Sequence, residues 1–298
     1  MAATSLQISS DIVGTRSLPL EIEVTRRMIM NYAAGIGDSN PWHFADDRPE
    51  GIVAPPMMTW ALTWQFSTNR GRYWGETGIP PEVGPRGVHY TEEFEWTRPL
   101  RPGDKLTIEG EIVQLMAHRA GTYMKTRYIG VDASGERVFT EHVGGMLRDV
   151  GCVGEIEDYV SRGPGVDVDA LREPLRRVRI PIHHLAAHVY DGCADIHNPI
   201  HTSKAFALGV GLPDIILHGT ATLAYAIRDI TDTEGGGNPC RVRRLYCSFT
   251  GMVFMDTEVE LQILASRDTD GLREVFFQVI SEDGKKAIRD GRIAFKDS

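Results

Sequence analysis

One short arrangement of acid–base residues occurs twice in this chain. Asp38-Ser39-Asn40-Pro41-Trp42-His43 is the first copy, and Asp195-Ile196-His197-Asn198-Pro199-Ile200-His201 is the second. In each, an Asn-Pro pair is followed two residues later by His, with Asp just upstream. Proline stiffens the turn, so a carboxylate and an imidazole are held on one irregular segment. Two such groups sharing a water are the equipment for adding or removing water by general acid–base chemistry. The repetition points to a duplicated domain, so fold and function are read from the same residues.

The elements around the two turns also repeat. After His43 come Gly51 to Pro56 and the apolar stretch Met57 to Phe66; after His201 come Leu212 to Gly219 and then Thr220 to Ile230. Leu223, Ile227 and Ile230 share one face at helical spacing, so each stretch is expected to be a helix that starts just past its turn. Strand-like segments follow in both halves: Val88 to Trp96, Lys105 to Leu115, Tyr123 to Val131 and Val138 to Leu147, then Arg241 to Phe249, Thr257 to Ser266, Glu274 to Ser281 and Ala287 to Phe295. Alternation such as Val259, Leu261 and Ile263 suits antiparallel strands with one buried face. The reading is α+β, with a module at 1–150, a linker at 151–175 and a second module at 176–298. The linker is rich in Gly and Asp and contains Pro164. Asn69 to Gly87, without periodicity, reads as a loop.

Composition narrows the classes. The chain has 298 residues, 42% hydrophobic and 24% charged, with a net charge of −9. These values fit a globular protein and argue against a nucleic-acid surface. No apolar run reaches membrane-spanning length, and Met1 to Asp11 lacks the shape of a signal peptide, so a cytoplasmic location is expected. Cys152, Cys193, Cys240 and Cys247 show no metal-binding spacing. Reduced thiols and no metal site are expected.

Gly37 to His43, the second turn at His201, and Ile216-Leu217-His218-Gly219 resemble the MaoC-like, or hydratase 2, family. Gly51 to Pro56 and Trp96 to Asp104 resemble the N-terminal module of its fused members. The resemblance implies a double hotdog fold, in which each long helix is wrapped by an antiparallel sheet. It also implies reversible, (R)-specific hydration of trans-2-enoyl-CoA thioesters. No cofactor beyond the coenzyme A of the substrate is expected, and a pseudo-dimer of the two halves leaves the outer surfaces free for a homodimer. In the family the Asp and His of the turn do the acid–base work, the Asn braces the turn, and the Gly of the His-Gly pair offers its N–H to the thioester carbonyl.

Each half keeps a different part of that machinery. Asp38 and His43 have the family spacing, but Pro56 falls where Gly219 falls in the other half, and proline has no N–H. The second half keeps Asn198, His201, His218 and Gly219, while Ile196 stands at the family's Asp position and Asp195 one place upstream. His201 with Gly219, aided by Asp195, is the favoured centre; a site at Asp38 and His43, braced by Asn40, stays open.

Plainer roles compete. Asp residues cap turns, and lone histidines are often bonded to backbone. Trp60 and Trp64, with Met57, Met58 and Phe66, are core residues or the lining of an acyl tunnel. Arg241 and Arg243, with Arg244, are a solvated strand edge or a grip on coenzyme A phosphates. His183, His184 and His188 lack partners at ligand spacing. Two other functions stay open: a hotdog thioesterase, and a non-catalytic acyl-CoA-binding subunit of a hetero-oligomeric hydratase.

Overall fold

The structure, a computed structural model, describes residues 6–163, 165–167 and 173–297. The first half runs through β1 (Gln7–Ser9), β2 (Leu20–Glu23) and α1 (Arg26–Gly35), and its motif turn carries α2 (Pro41–Phe44). A helical run follows as α3 (Met58–Thr63), α4 (Gln65–Thr68) and α5 (Arg70–Tyr73). Then come β3 (Gly87–Trp96), β4 (Lys105–His118), β5 (Gly121–Asp132) and β6 (Arg137–Arg148). Two short strands, β7 (Gly151–Val153) and β8 (Glu157–Asp158), lie in the connection between halves. The second half repeats the plan with β9 (Arg176–Ile182), α6 (Ala186–Ala194), α7 (Pro199–Thr202), α8 (Lys204–Gly209) and α9 (Gly219–Thr233). It closes with β10 (Val242–Phe249), β11 (Thr257–Thr269), β12 (Leu272–Ile280) and β13 (Lys286–Lys296).

The long strands of both halves join into one sheet in the order β2-β4-β5-β6-β3-β10-β13-β12-β11-β9. Read outward from the β3–β10 seam, the two arms are the same. At the seam Glu93 pairs with Tyr246, flanked by Glu92 opposite Cys247 and Phe94 opposite Leu245. A pseudo-twofold axis therefore passes through the Glu93–Tyr246 pair and exchanges Glu92 with Leu245. Under the sheet the same symmetry relates α1 to α6, where the Tyr32 and Tyr190 hydroxyls meet at 3.1 Å. A Cβ on Gly35 would lie 2.6 Å from Cys193 Cβ, so this close crossing requires glycine.

Periodicity explains most of these elements. Val259, Leu261 and Ile263 are each 1% exposed, on the inward face of β11. Leu223, Ile227 and Ile230 are equally buried, and α9 is enclosed on nearly every side because the sheet curls around it. Two modules of this kind, back to back on one sheet, form the double hotdog arrangement.

Three local expectations change. The first-half helix is interrupted at Trp64 and again at Asn69, whose φ of −112° and ψ of 41° are not helical. The stretch expected to be a loop after Asn69 contains α5, because Tyr73 packs its ring 5.0 Å from Phe66. The linker region starts with β7, which pairs in parallel with β1, and β8 adds to the edge of β4. Arg162 then pins the connection to the sheet through both oxygens of Glu93, at 2.6 and 2.9 Å. Pro164 lies outside the described residues. All four cysteines are free thiols. Among the described residues no helix is long and apolar enough to cross a membrane.

Candidate active site

In the second half, Asn198 caps α7 by accepting from Ile200 N at 3.3 Å, which sets His201 on the first turn of that helix. His201 Nδ1 donates to the Ile216 carbonyl at 2.8 Å. That bond fixes the neutral tautomer, with the lone pair on Nε2, which bonds no described residue. Burial lowers the His201 pKa to about 4, only partly offset by the Ile216 carbonyl and the charge of Asp191. The ring stacks on His218 with centroids 3.8 Å apart. His218 is itself the N-cap of α9, held by Nε2 against the Ile196 carbonyl at 3.3 Å, and burial keeps it neutral too. Gly219 is therefore the first residue of a fifteen-residue helix. Its N–H has no partner within the helix and lies at the positive end of the helix dipole.

Asp195 does not join this group. It caps the end of α6 in a left-handed conformation, with φ of 54°, and its exposed carboxylate accepts from Gln65 Nε2 at 3.4 Å. Ile196 takes the inward place instead, 2% exposed. The one-residue shift therefore turns the acid outward, and the expected aid from Asp195 to His201 is absent from this geometry.

The first half shows the converse. Asp38 Oδ2 lies 3.3 Å from His43 Nε2, and both side chains are buried. His43 Nδ1 donates to the Val53 carbonyl at 2.7 Å. Its two ring nitrogens thus face the Val53 carbonyl and the Asp38 carboxylate. Burial disfavours the Asp38 charge, but the His43 bond, the Asn40 N–H and nearby Arg228 outweigh it and hold the pKa below the usual value. The bonds His43–Val53 and His201–Ile216 superpose the halves, placing Pro55 and Pro56 where His218 and Gly219 stand. Pro55, Pro56 and Trp96 enclose a cavity of only 10 Å³, at the lower limit for one water.

The Asp38–His43 contact ties the two ends of the turn together. Asp38→Asn or His43→Ala is expected to lower unfolding free energy by about 1–3 kcal/mol, measured by urea titration at neutral pH. A carboxyl with a depressed folded pKa stabilises above its unfolded value. That stabilisation is lost as pH falls through the folded pKa, so the difference between Asp38→Asn and wild type should shrink in acid.

The two centres cannot serve one reacting carbon. Asn40, beside Asp38, donates to Asp232 at 3.2 Å and to the Gly237 carbonyl at 2.9 Å, past the far end of α9. Asp232 stands thirteen residues after Gly219, about 20 Å along a helix that rises about 1.5 Å per residue.

This arrangement has relatives. Residues 169–285 match the MaoC like domain, and residues 11–141 match the FAS1-like dehydratase domain region. An enoyl-CoA hydratase of Mycobacterium tuberculosis is 26% identical over 81% of this chain and 84% of its own length. A peroxisomal enoyl-CoA hydratase 2 of Arabidopsis thaliana is 25% identical over 97% of this chain and 96% of its own. A MaoC-like dehydratase structure from Phytophthora capsici covers 98% of this chain and 100% of its own, with a TM-score of 0.80 at 20% identity. The second half of the chain is thus similar to a MaoC like domain, and the first to a FAS1-like dehydratase region. A further double-hotdog structure from Mycobacterium tuberculosis covers 95% of the chain and 96% of its own at a TM-score of 0.59 and 12% identity, which speaks for the fold alone.

The other expected contact residues separate. Trp60 stacks on His89, whose ring lies 4.6 Å from Phe249 beside Gly219, and Trp64 contacts Trp60 at 5.6 Å. Arg241 bonds the Lys296 and Gly235 carbonyls at 2.9 and 3.1 Å, and Arg243 bonds the Cys240 and Val242 carbonyls at 2.7 and 2.8 Å. Both guanidiniums are anchored to backbone near the end of α9 that lies away from Gly219. Among the described residues no group of three His, Cys, Asp or Glu side chains could hold a metal. The sequence reading missed His89, Glu92 and Glu141. Its signal was available: Glu92 shares the inward phase of β3 with Phe94 and Trp96.

Proposed function

We propose that this chain hydrates a trans-2-enoyl-CoA to an (R)-3-hydroxyacyl-CoA, or runs the reverse dehydration, at the His201–Gly219 centre. The observation that carries this reading is a neutral imidazole with a free Nε2, stacked at the start of α9 beside an unpaired backbone N–H. His201 Nε2 takes a proton from water as the water oxygen bonds to the β-carbon. The double-bond electrons pass to the thioester oxygen, and Gly219 N–H stabilises that developing charge. The proton on Nε2 then returns to the α-carbon. The step balances with water and these two residues, with no second carboxylate.

The names of the relatives support hydration, and the pairing of His201 with Gly219 supports the place. The test follows loss of the enoyl-thioester absorbance with trans-2-octenoyl-CoA and resolves the two 3-hydroxyacyl enantiomers. Loss of absorbance with the (R) product is expected. Release of free coenzyme A thiol would make the chain a thioesterase. Binding without turnover would make it an acyl-CoA-binding subunit that needs a partner.

A further inference from the structure

Three buried hydroxyls run from the first half to the start of α9. Tyr32 and Tyr190 stand at the same spacing before His43 and His201, and their hydroxyls meet across the pseudo-twofold axis at 3.1 Å. The Tyr190 hydroxyl donates its one proton to Thr220 Oγ1 at 3.2 Å, so Tyr32 is the donor between the two tyrosines. Thr220 follows Gly219 in the first turn of α9. All three side chains are closed off from water: Tyr190 is 0% exposed, Tyr32 1% and Thr220 4%. Burial raises the pKa of both phenols, so each keeps the proton it donates. The Tyr190 ring also lies 5.0 Å from that of His218, which in turn stacks on His201.

This relay is one-sided. In a true dimer each tyrosine would find the same acceptor at the head of its own long helix. Here Pro56 takes the place of Gly219, so Met57 takes that of Thr220, and a thioether is only a weak acceptor for Tyr32. The hydroxyl chain therefore points at α9, the helix that begins with an N–H rather than a proline. Packing alone does not ask for it. The tyrosine rings meet edge to face, with centroids 5.8 Å apart, and that contact needs no oxygen. A bonded hydroxyl adds little net stability, but its geometry is directional. What the oxygens supply is a fixed position for the helix start.

From this one-sided chain we propose that Tyr190, backed by Tyr32 of the first half, is a positioning residue for the reaction. Its hydroxyl holds the head of α9, which carries the Gly219 N–H, and its ring packs on His218, which stacks on His201. The oxyanion donor and the base sit on different helices, α9 and α7, and Tyr190 keeps them at one separation. A misplacement of about 1 Å, made away from the chemistry, can cost about 100-fold in rate. The proposal rests on the hydratase reading above, and it gives the first half a part in the chemistry of the second.

The experiment measures kcat and KM for trans-2-octenoyl-CoA, with thermal midpoints, in wild type, Tyr190→Phe, Tyr32→Phe and the double variant. Each substitution keeps the ring and removes one oxygen. Tyr190→Phe should lower kcat by about 10- to 100-fold and leave KM within about twofold, because the hydroxyl does not touch substrate. Tyr32→Phe should lower kcat by a smaller factor, and the double variant should match Tyr190→Phe, since Tyr32 acts through Tyr190. A kcat within about twofold of wild type in folded Tyr190→Phe overturns the proposal, whatever the thermal midpoint does. Losses that multiply in the double variant overturn the relay through Tyr32. If Tyr190→Phe does not fold, Thr220→Val and Thr220→Ser decide in its place. Serine keeps the acceptor and should recover most of the kcat that valine loses; equal rates overturn the proposal. If wild type turns over no enoyl-CoA, the hydratase reading fails instead, and the imidazole signals of His201 and His218 in NMR spectra decide this one. Those signals should move in Tyr32→Phe, whose lost oxygen lies outside the site; unchanged signals overturn the proposal.

Discussion

His201→Ala is expected to lower kcat/KM for enoyl-CoA hydration by about 10²- to 10⁴-fold, the usual worth of a positioned acid–base group. Folding should suffer little, because the ring is half-buried and its one hydrogen bond is to the Ile216 carbonyl. His43→Ala should behave in the opposite way, losing stability while kcat in the folded fraction stays within a few-fold. The pH profile offers a separate check. The reaction needs the neutral imidazole, and burial places the His201 pKa at about 4. Activity should therefore be level through neutral pH and fall tenfold per unit as pH drops below about 4. A fall centred near the ordinary histidine value would mean that His201 is not the base. If His43→Ala abolishes turnover in folded protein and His201→Ala does not, the chemistry belongs at the other end of α9.

Gly219→Pro is expected to reduce kcat by about 10²- to 10³-fold, the usual cost of losing one oxyanion donor. Proline suits the first position of a helix, where the N–H has no helical partner, so α9 should still form. Pro56 is the natural precedent, standing at the equivalent place in the first half. Any Cβ at position 219 presses on Phe249 at 3.0 Å, so Gly219→Ala is the necessary control. It carries the same steric load but keeps the N–H. Comparing kcat for the two variants isolates the donor: proline should be at least tenfold slower than alanine. Equal rates would show that a different group holds the thioester oxygen.

The repeated Asn-Pro-x-His turns and the alternation of β4 through β6 and β11 through β13 were legible because they are local. Helix and strand periods are written along the chain, and strand ends agreed to within a few residues. The missed elements include β1, β2, β9 and α8, as well as α1 and α6, two short helices that pack on each other across the pseudo-twofold axis. Their buried residues, Ile29, Tyr32 and Ala33 in one and Ala186, Ala187, Tyr190 and Ala194 in the other, do fall at helical spacing, but the Tyr32–Tyr190 contact that joins them spans 158 positions. The break of the first-half helix at Trp64 and Asn69 was hidden for a similar reason.

The candidate site divides along the same line. Residue identity alone established that Pro56 cannot donate an N–H and that Gly219 can, because that is covalent chemistry. Only the tertiary structure decided what the carboxylates do. Asp38, at the family spacing, is drawn into a buried brace with His43, while Asp195 is turned to the surface by a left-handed helix end. Glu92 and Glu141 carry no unusual motif, yet the curl of the sheet beneath α3 seals them away from water. The duplication and the reaction class follow from residue types in order along the chain. Which end of α9 offers a free imidazole nitrogen beside an N–H depends on contacts between residues far apart in the chain.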